Sequence, residues 1–119
     1  NGADFENCKF YHCTFDNASL VNCNLQNALF SNCSLYNVTA EEAELQNARF
    51  FSCNLAKAFF THSNFKEAVL KSCQTTSSSF MNCCIENIAL EETNLPNDEM
   101  FDSESDWIKN DIPDFEPNM

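Results

Sequence analysis

The chain has 119 residues, enough for one domain with a single core. Its 18 acidic and 6 basic residues give a formal net charge of −12. That charge disfavours direct binding to nucleic acid or anionic lipid, because both require Lys and Arg. No apolar run in the sequence approaches the roughly 20 residues that cross a bilayer, so no membrane span is expected.

Residues 1–95 repeat a unit of five. Every fifth residue from Phe5 to Leu95 is Phe, Leu or Ile at seventeen of nineteen positions, and the residue two before it is Ala or Cys at fourteen of nineteen. On an α-helix a step of five turns the side chain by about 140°, and on a straight strand it alternates between faces. The pattern therefore predicts a chain that bends once per unit and points each large residue at one central axis.

The bend is expected two residues after the large position, where Asn is frequent, as in Asn27 and Asn47. Asn tolerates the left-handed conformations that such a bend needs. Ala40 and Thr75 stand where Leu or Phe is expected. We expect Val38 to fill part of the space that Ala40 leaves, and Thr75 to be a weak point.

The units resemble the pentapeptide-repeat family, as in Ala28-Leu29-Phe30-Ser31-Asn32 and Cys53-Asn54-Leu55-Ala56-Lys57. The resemblance covers residues 1–95. It implies an all-β fold, a right-handed quadrilateral β-helix of nearly five coils with four repeats per coil. Such a repeat solenoid is a filled rod without a cleft, so we expect no enzyme, no cofactor and no catalytic residues.

Residues 96–119 form a second region, an acidic C-terminal cap or tail. The stretch from Ser103 to Asp106 has the form of a capping box, which predicts a short helix that places Trp107 and Ile108 over the open end of the core. The repeat begins in mid-pattern at Ala3, so we expect further protein to precede it.

Four repeats per coil align residues twenty apart and sort the outward side chains onto four walls. The second wall combines bases with outward apolar residues, a pattern typical of a partner site. Its predicted partner-binding residues are Lys9, Tyr11, Leu29, Arg49, Phe51, Val69 and Lys71.

Seven of the eight cysteines occupy the small inward position, where stacked coils about 4.8 Å apart separate them too widely for disulfides. We expect buried free thiols and a cytoplasmic protein, with only Cys84 facing outward. His12 and His62 fall at opposite corners, so no metal site is expected.

Three glycosylation sequons begin at Asn17, Asn32 and Asn37. Together with a likeness to the luminal loop of synaptic-vesicle glycoproteins, they keep a luminal or secreted location as a less favoured alternative. Whether they are used is open at this point.

The leading hypothesis is a non-catalytic protein–protein interaction or scaffold domain within a larger protein, one version being the accessory domain of a bacterial effector. Its partner is another protein, neither nucleic acid nor membrane, and a homodimer through an open end of the rod is an alternative assembly. The competing hypothesis, implied by the resemblance to quinolone-resistance members, is a DNA mimic that inhibits DNA gyrase or another topoisomerase. A spacer rod without a partner is the third.

Overall fold

The structure of this chain is a computed structural model that describes residues 2–95. The predicted cap and tail, residues 96–119, lie outside the described residues, as does Asn1. The described chain winds into a quadrilateral β-helix in which each residue lies beside the residue twenty positions later. The predicted fold is confirmed for these residues, which make more than four coils. Within them, no helix is long and apolar enough to cross a membrane.

Four stacks of parallel pairings form the four walls. The second wall is a sheet of five three-residue strands in the order β1 to β5, with Phe10, Phe30 and Phe50 in register. The strands are β1 (Lys9–Tyr11), β2 (Leu29–Ser31), β3 (Arg49–Phe51), β4 (Val69–Lys71) and β5 (Ala89–Glu91). Single bridges link the coils on the other walls: from Asp4 to Cys84 on the first, from Thr14 to Gln74 on the third, and from Ser19 to Ser79 on the fourth.

A tight turn separates each wall from the next. At Leu25, the carbonyl accepts a bond from the Ala28 amide three residues on, at 3.1 Å. Asn27, between them, has a φ of 62°, the positive value that a type II turn requires at its third position. The same position has a positive φ in all eighteen repeats from Asn7 to Glu92. The period of five is thus one short wall plus one turn.

The large side chains fill the axis of the coil in stacked layers. The rings of Phe30 and Phe50 are parallel, with their centroids 4.7 Å apart, and Phe60 meets Phe65 edge to face at 5.0 Å. Because the coils repeat at the strand spacing, aromatic rings twenty residues apart stack face to face. Rings from neighbouring walls can instead meet edge to face. Phe5, Phe10 and Phe15, in the first described coil, are only half-buried, because within residues 2–95 a neighbouring coil packs on one side of them alone.

Departures from the repeat are absorbed locally. Val38 and Ala40 are both fully buried, as expected if Val38 compensates for the small Ala40. Ser63 fills the corner one coil later: its hydroxyl donates to the Ala40 carbonyl at 2.5 Å and accepts from the Ala43 amide at 3.0 Å. At the predicted weak point, the Thr75 hydroxyl donates to the Asn94 carbonyl, so this polar group has a partner in the next coil.

Candidate interaction surface

The structure brings all seven predicted partner-binding residues together on the second wall. Their side chains leave the strands in two outward rows that flank the buried Phe/Leu row. One row runs through Lys9, Leu29, Arg49, Val69 and Ala89, and the other through Tyr11, Ser31, Phe51, Lys71 and Glu91. The predicted placement on one wall is therefore correct.

The predicted exposure of two of these residues is wrong. Leu29 is 2% exposed and Phe51 is 5% exposed, although both occupy outward rows. For Leu29 the row itself offers a cause, because the long side chains of Lys9 and Arg49 flank it at the coil spacing and their methylene stems can cover an apolar neighbour. Tyr11 and Val69 remain half-buried, so the accessible apolar area of this wall is smaller than predicted.

The charge of the second wall differs in sign from that of the rod around it. The strands of the second wall carry three cations, Lys9, Arg49 and Lys71, and one carboxylate, Glu91. Their net charge is +2. Residues 2–95 as a whole carry ten acidic and five basic side chains, a net of −5. Among the described residues, no other wall has a net positive charge.

The first wall is acidic and amide-rich, and its side chains bond to each other between coils. The Asn24 amide donates to Asp4 at 3.2 Å, and the Gln26 amide donates to Glu44 at 2.9 Å. These bonds use carboxylate oxygens that a partner would otherwise contact. Polar side chains of the first wall are thus hydrogen-bonded to each other.

The fourth wall has the exposed apolar side chains that sequence reasoning did not select. Phe59 is 44% exposed and Met81 is 37% exposed. Phe59 pairs with Thr39 and Ser79 in the neighbouring coils, and such short side chains cannot cover a ring. The exposure of Phe59 could therefore have been predicted from the small size of the residues twenty positions before and after it. Two exposed residues form too small a patch to outweigh the second wall.

The cysteines form ladders inside the coil. The thiols of Cys33 and Cys53 donate to the carbonyls of Phe10 and Phe30, each at 3.3 Å, and so act as small donors at the corner. The neighbouring Cys53 thiol, and after it burial, raise the pKa of Cys33 well above its ordinary value. All eight cysteines are free thiols in the structure. Cys84 is half-buried, and so are Cys8 and Cys13 of the less covered first coil.

No cluster of His, Cys, Asp or Glu within residues 2–95 could hold a metal ion. The register places His12 and His62 half a coil out of phase, at opposite corners, as the sequence predicts. The sequon residues Asn17, Asn32 and Asn37 all lie at exposed corners with positive φ. Their use in glycosylation belongs to the less favoured luminal or secreted alternative.

Comparison with known proteins places these observations in a family context. A family model described as "Pentapeptide repeat region" matches residues 1–71 and 23–100. Comparison with curated protein sequences finds no match. Among solved structures, HetL is similar, with a TM-score of 0.57 and 16% identity. HetL is a pentapeptide repeat protein involved in heterocyst differentiation regulation in the cyanobacterium Nostoc sp. strain PCC 7120, and the match covers 79% of this chain.

The chain spans only 42% of the length of HetL, so the likeness shows the fold alone. A pentapeptide repeat protein from the Arabidopsis thaliana thylakoid lumen matches over 78% of this chain and 72% of its own, at 13% identity and a TM-score of 0.43. QnrB1, a plasmid-mediated fluoroquinolone resistance protein, matches over 92% and 82%, at 16% identity and a TM-score of 0.30. These two scores are too low to support an argument about function.

Proposed function

This chain belongs to the pentapeptide-repeat family, and from that premise we propose that it is a non-catalytic interaction scaffold whose second wall binds an acidic protein. The fold mediates protein interactions in some members of the family. The single observation that carries the proposal is the reversal of charge on the second wall, at +2 on a described rod of −5. An acidic partner is attracted to that wall and repelled by the remainder.

The second wall also holds its outward side chains on a rigid backbone. Its side chains are fixed to five strands in parallel register, and the stacked Phe10, Phe30 and Phe50 rings hold those strands from inside. A surface held in this way loses little conformational entropy on binding, which favours affinity. Tyr11 and Val69, both half-buried, supply apolar contact beside the cations. The wall therefore offers steering charge and contact area on a rigid support.

The test compares two double variants of equal charge change. Arg49→Glu/Lys71→Glu reverses the second wall, and Lys57→Glu/Lys66→Glu makes the same change in net charge elsewhere on the rod. Proteins captured by the wild-type chain from lysate are identified, and the affinity of the leading acidic candidate is then measured with purified components. We expect at least a tenfold loss of affinity in the first variant, about 1.4 kcal/mol, and near wild-type affinity in the second.

The salt dependence supplies a second reading of the same interaction. The wild-type affinity should fall as ionic strength rises, because the contact is electrostatic and the Debye length shortens to about 3 Å at 1 M salt. Equal losses in both double variants would show a net-charge effect without a site. Unchanged binding in Arg49→Glu/Lys71→Glu would refute the second wall as the binding surface.

A cytoplasmic location is proposed on the strength of the thiols. Cys33, Cys53 and Cys73 are buried and donate to backbone carbonyls of the coil below, an arrangement that uses them as reduced side chains. Reduced thiols persist in compartments kept reducing by thiol systems. Localisation of the tagged full-length protein, with a glycosidase shift assay for Asn17, Asn32 and Asn37, tests this against the secretory alternative.

A further inference from the structure

The second wall contains an outward aromatic residue that is more buried than its row explains. Phe51 is 5% exposed, whereas Phe59, also in an outward row, is 44% exposed. In its row Phe51 has Ser31 on one side and Lys71 on the other. A serine is too short to cover a phenyl ring, so one flank of Phe51 lacks a covering neighbour of its own row.

Ala89 presents the same discrepancy at the end of the other row. It lies on β5, the last strand of the wall, and its only described row neighbour is Val69. It is nevertheless 4% exposed. In addition, Arg49, Phe51 and Lys71 are each engaged in a bonded, aromatic or electrostatic contact. Phe51 and Ala89 on the second wall are thus covered more fully than their rows explain, whereas Phe59 on the fourth wall is not.

The chain itself contains a segment of complementary charge. Residues 96–119 carry eight acidic residues and a single basic one, a net of −7, against the +2 of the second wall. Large apolar residues are spaced through it, among them Trp107, Ile108, Ile112 and Phe115. The segment combines carboxylates for Arg49 and Lys71 with apolar side chains for Phe51.

The segment also starts from a suitable place. The repeat ends at Leu95, in line with Thr75 on the third wall, next to the second. Twenty-four residues can extend to roughly 80 Å at 3.3–3.6 Å each, whereas the five stacked strands span about 19 Å at the usual strand spacing. The segment is therefore long enough to contact any strand of the second wall.

We propose that the second wall is the docking surface of the chain's own acidic segment, residues 96–119, which lies against Arg49, Phe51 and Lys71. Docking within one molecule benefits from an effective concentration of the order of millimolar. An external acidic partner must then displace the segment, which makes the segment an intramolecular competitor. The docking stands independently of the proposed function, and only the competition rests on it.

Trp107 provides a built-in probe, because it is the only tryptophan of the chain and belongs to the segment. The experiment measures quenching of Trp107 fluorescence by acrylamide in the full chain, without any partner. We expect strong protection in the wild type, and a several-fold rise of the quenching constant in Arg49→Glu/Lys71→Glu and at about 1 M salt. The matched Lys57→Glu/Lys66→Glu variant should keep the protection, and circular dichroism verifies that each variant is folded.

A second variant tests the same contact by changing the acidic segment and not the wall. Asp102→Asn/Glu104→Gln/Asp106→Asn removes three charges from the segment and leaves the second wall intact, so it should also expose Trp107. This variant keeps the test decisive if the wall variant fails to fold, because the repeat sequence is unchanged.

Three results would overturn the proposal. Quenching in the wild type equal to that of a free 96–119 peptide would mean a solvated segment. Protection that neither charge variant nor salt disturbs would place Trp107 over the open end of the core, as the sequence predicts. Protection that grows with protein concentration would assign the contact to a second copy. Loss of partner affinity in the wall variant, combined with an accessible Trp107 in the wild-type chain, would leave the proposed function standing without the docking.

Discussion

At the scale of single residues, the decisive position is the corner of each repeat. Eighteen non-glycine residues adopt a φ between 51° and 67°, and half of them are Asn. Asn visits the left-handed region at low cost, whereas a β-branched side chain there is strained. The non-Asn corners, such as Glu42 and Lys57, have the same backbone geometry. The coil therefore imposes the conformation, and Asn reduces its cost.

We expect Asn47→Val to destabilise the protein by about 1–2 kcal/mol, the usual penalty for a left-handed residue. Asn47 is exposed with a φ of 62°, so the substitution removes no packing. Asn47→Gly is the control, and it should stay within about 0.5 kcal/mol of wild type because glycine accepts this φ. Urea unfolding measures both, and equal losses in the two variants would contradict the conformational explanation.

The thiol ladder makes stability depend on alkaline pH. The Cys33 thiol lowers the pKa of Cys53, but the Cys73 thiol and burial outweigh it and raise that pKa to about 12. An unfolded thiol has a pKa of about 8.5, so above that pH the unfolded state loses protons that the folded state keeps. The protonated Cys53 thiol therefore stabilises the folded state fully below about pH 8.5, and this stabilisation declines as the pH rises towards 12. At pH 9.5 this stabilisation by Cys53 is therefore already reduced.

Replacing Cys33 and Cys53 together by Ala should therefore flatten the fall of Tm between pH 7 and 9.5. Cys84→Ser, a change on a half-buried thiol outside the ladder, should leave the wild-type slope in place. Thermal unfolding followed by circular dichroism under reducing conditions gives the slopes. Parallel slopes in all three proteins would show that other groups govern the alkaline loss.

At the scale of the coil, stability comes from the stacked rings. Phe50 is fully buried and lies parallel to Phe30 at 4.7 Å. Phe50→Ala opens a cavity that the flanking coils cannot close, and it should cost about 3–5 kcal/mol. Phe59→Ala is the matched control: the same atoms are removed from a ring that is 44% exposed, and the effect should stay within about 0.5 kcal/mol. Urea unfolding decides, and similar costs for both would contradict the inward assignment.

Much of the coil could be predicted from sequence because its rules are local. A large residue every five, a small one two before it and a left-handed residue two after it define wall, core and corner in turn. The exposure of the wall residues could not be predicted in the same way. The burial of Leu29 and the exposure of Phe59 depend on the side chains twenty residues away, which a five-residue pattern does not specify. The placement of the candidate site followed from the period, and its accessible area did not.

At the scale of the whole molecule, the four walls give one rod several chemically distinct sides. The first wall is acidic and bonded to itself, and the second is cationic. Because every wall is held by the same core, a substitution in an outward row changes one surface without altering the others. This separation is what makes paired variants such as Arg49→Glu/Lys71→Glu and Lys57→Glu/Lys66→Glu informative.

The charge pattern of the rod also disfavours DNA mimicry. Duplex DNA has one charge per roughly 1.7 Å of its axis, or about 11 over the 19 Å that five stacked coils span. The first wall, the most acidic of the described walls, offers Asp4, Glu6, Glu44 and Glu86, with Lys66 among them. We expect no inhibition when the full chain is titrated into a gyrase supercoiling assay. Inhibition lost in Glu44→Gln/Glu86→Gln but kept in the matched Glu41→Gln/Glu42→Gln would make the first wall the functional surface and overturn the assignment to the second.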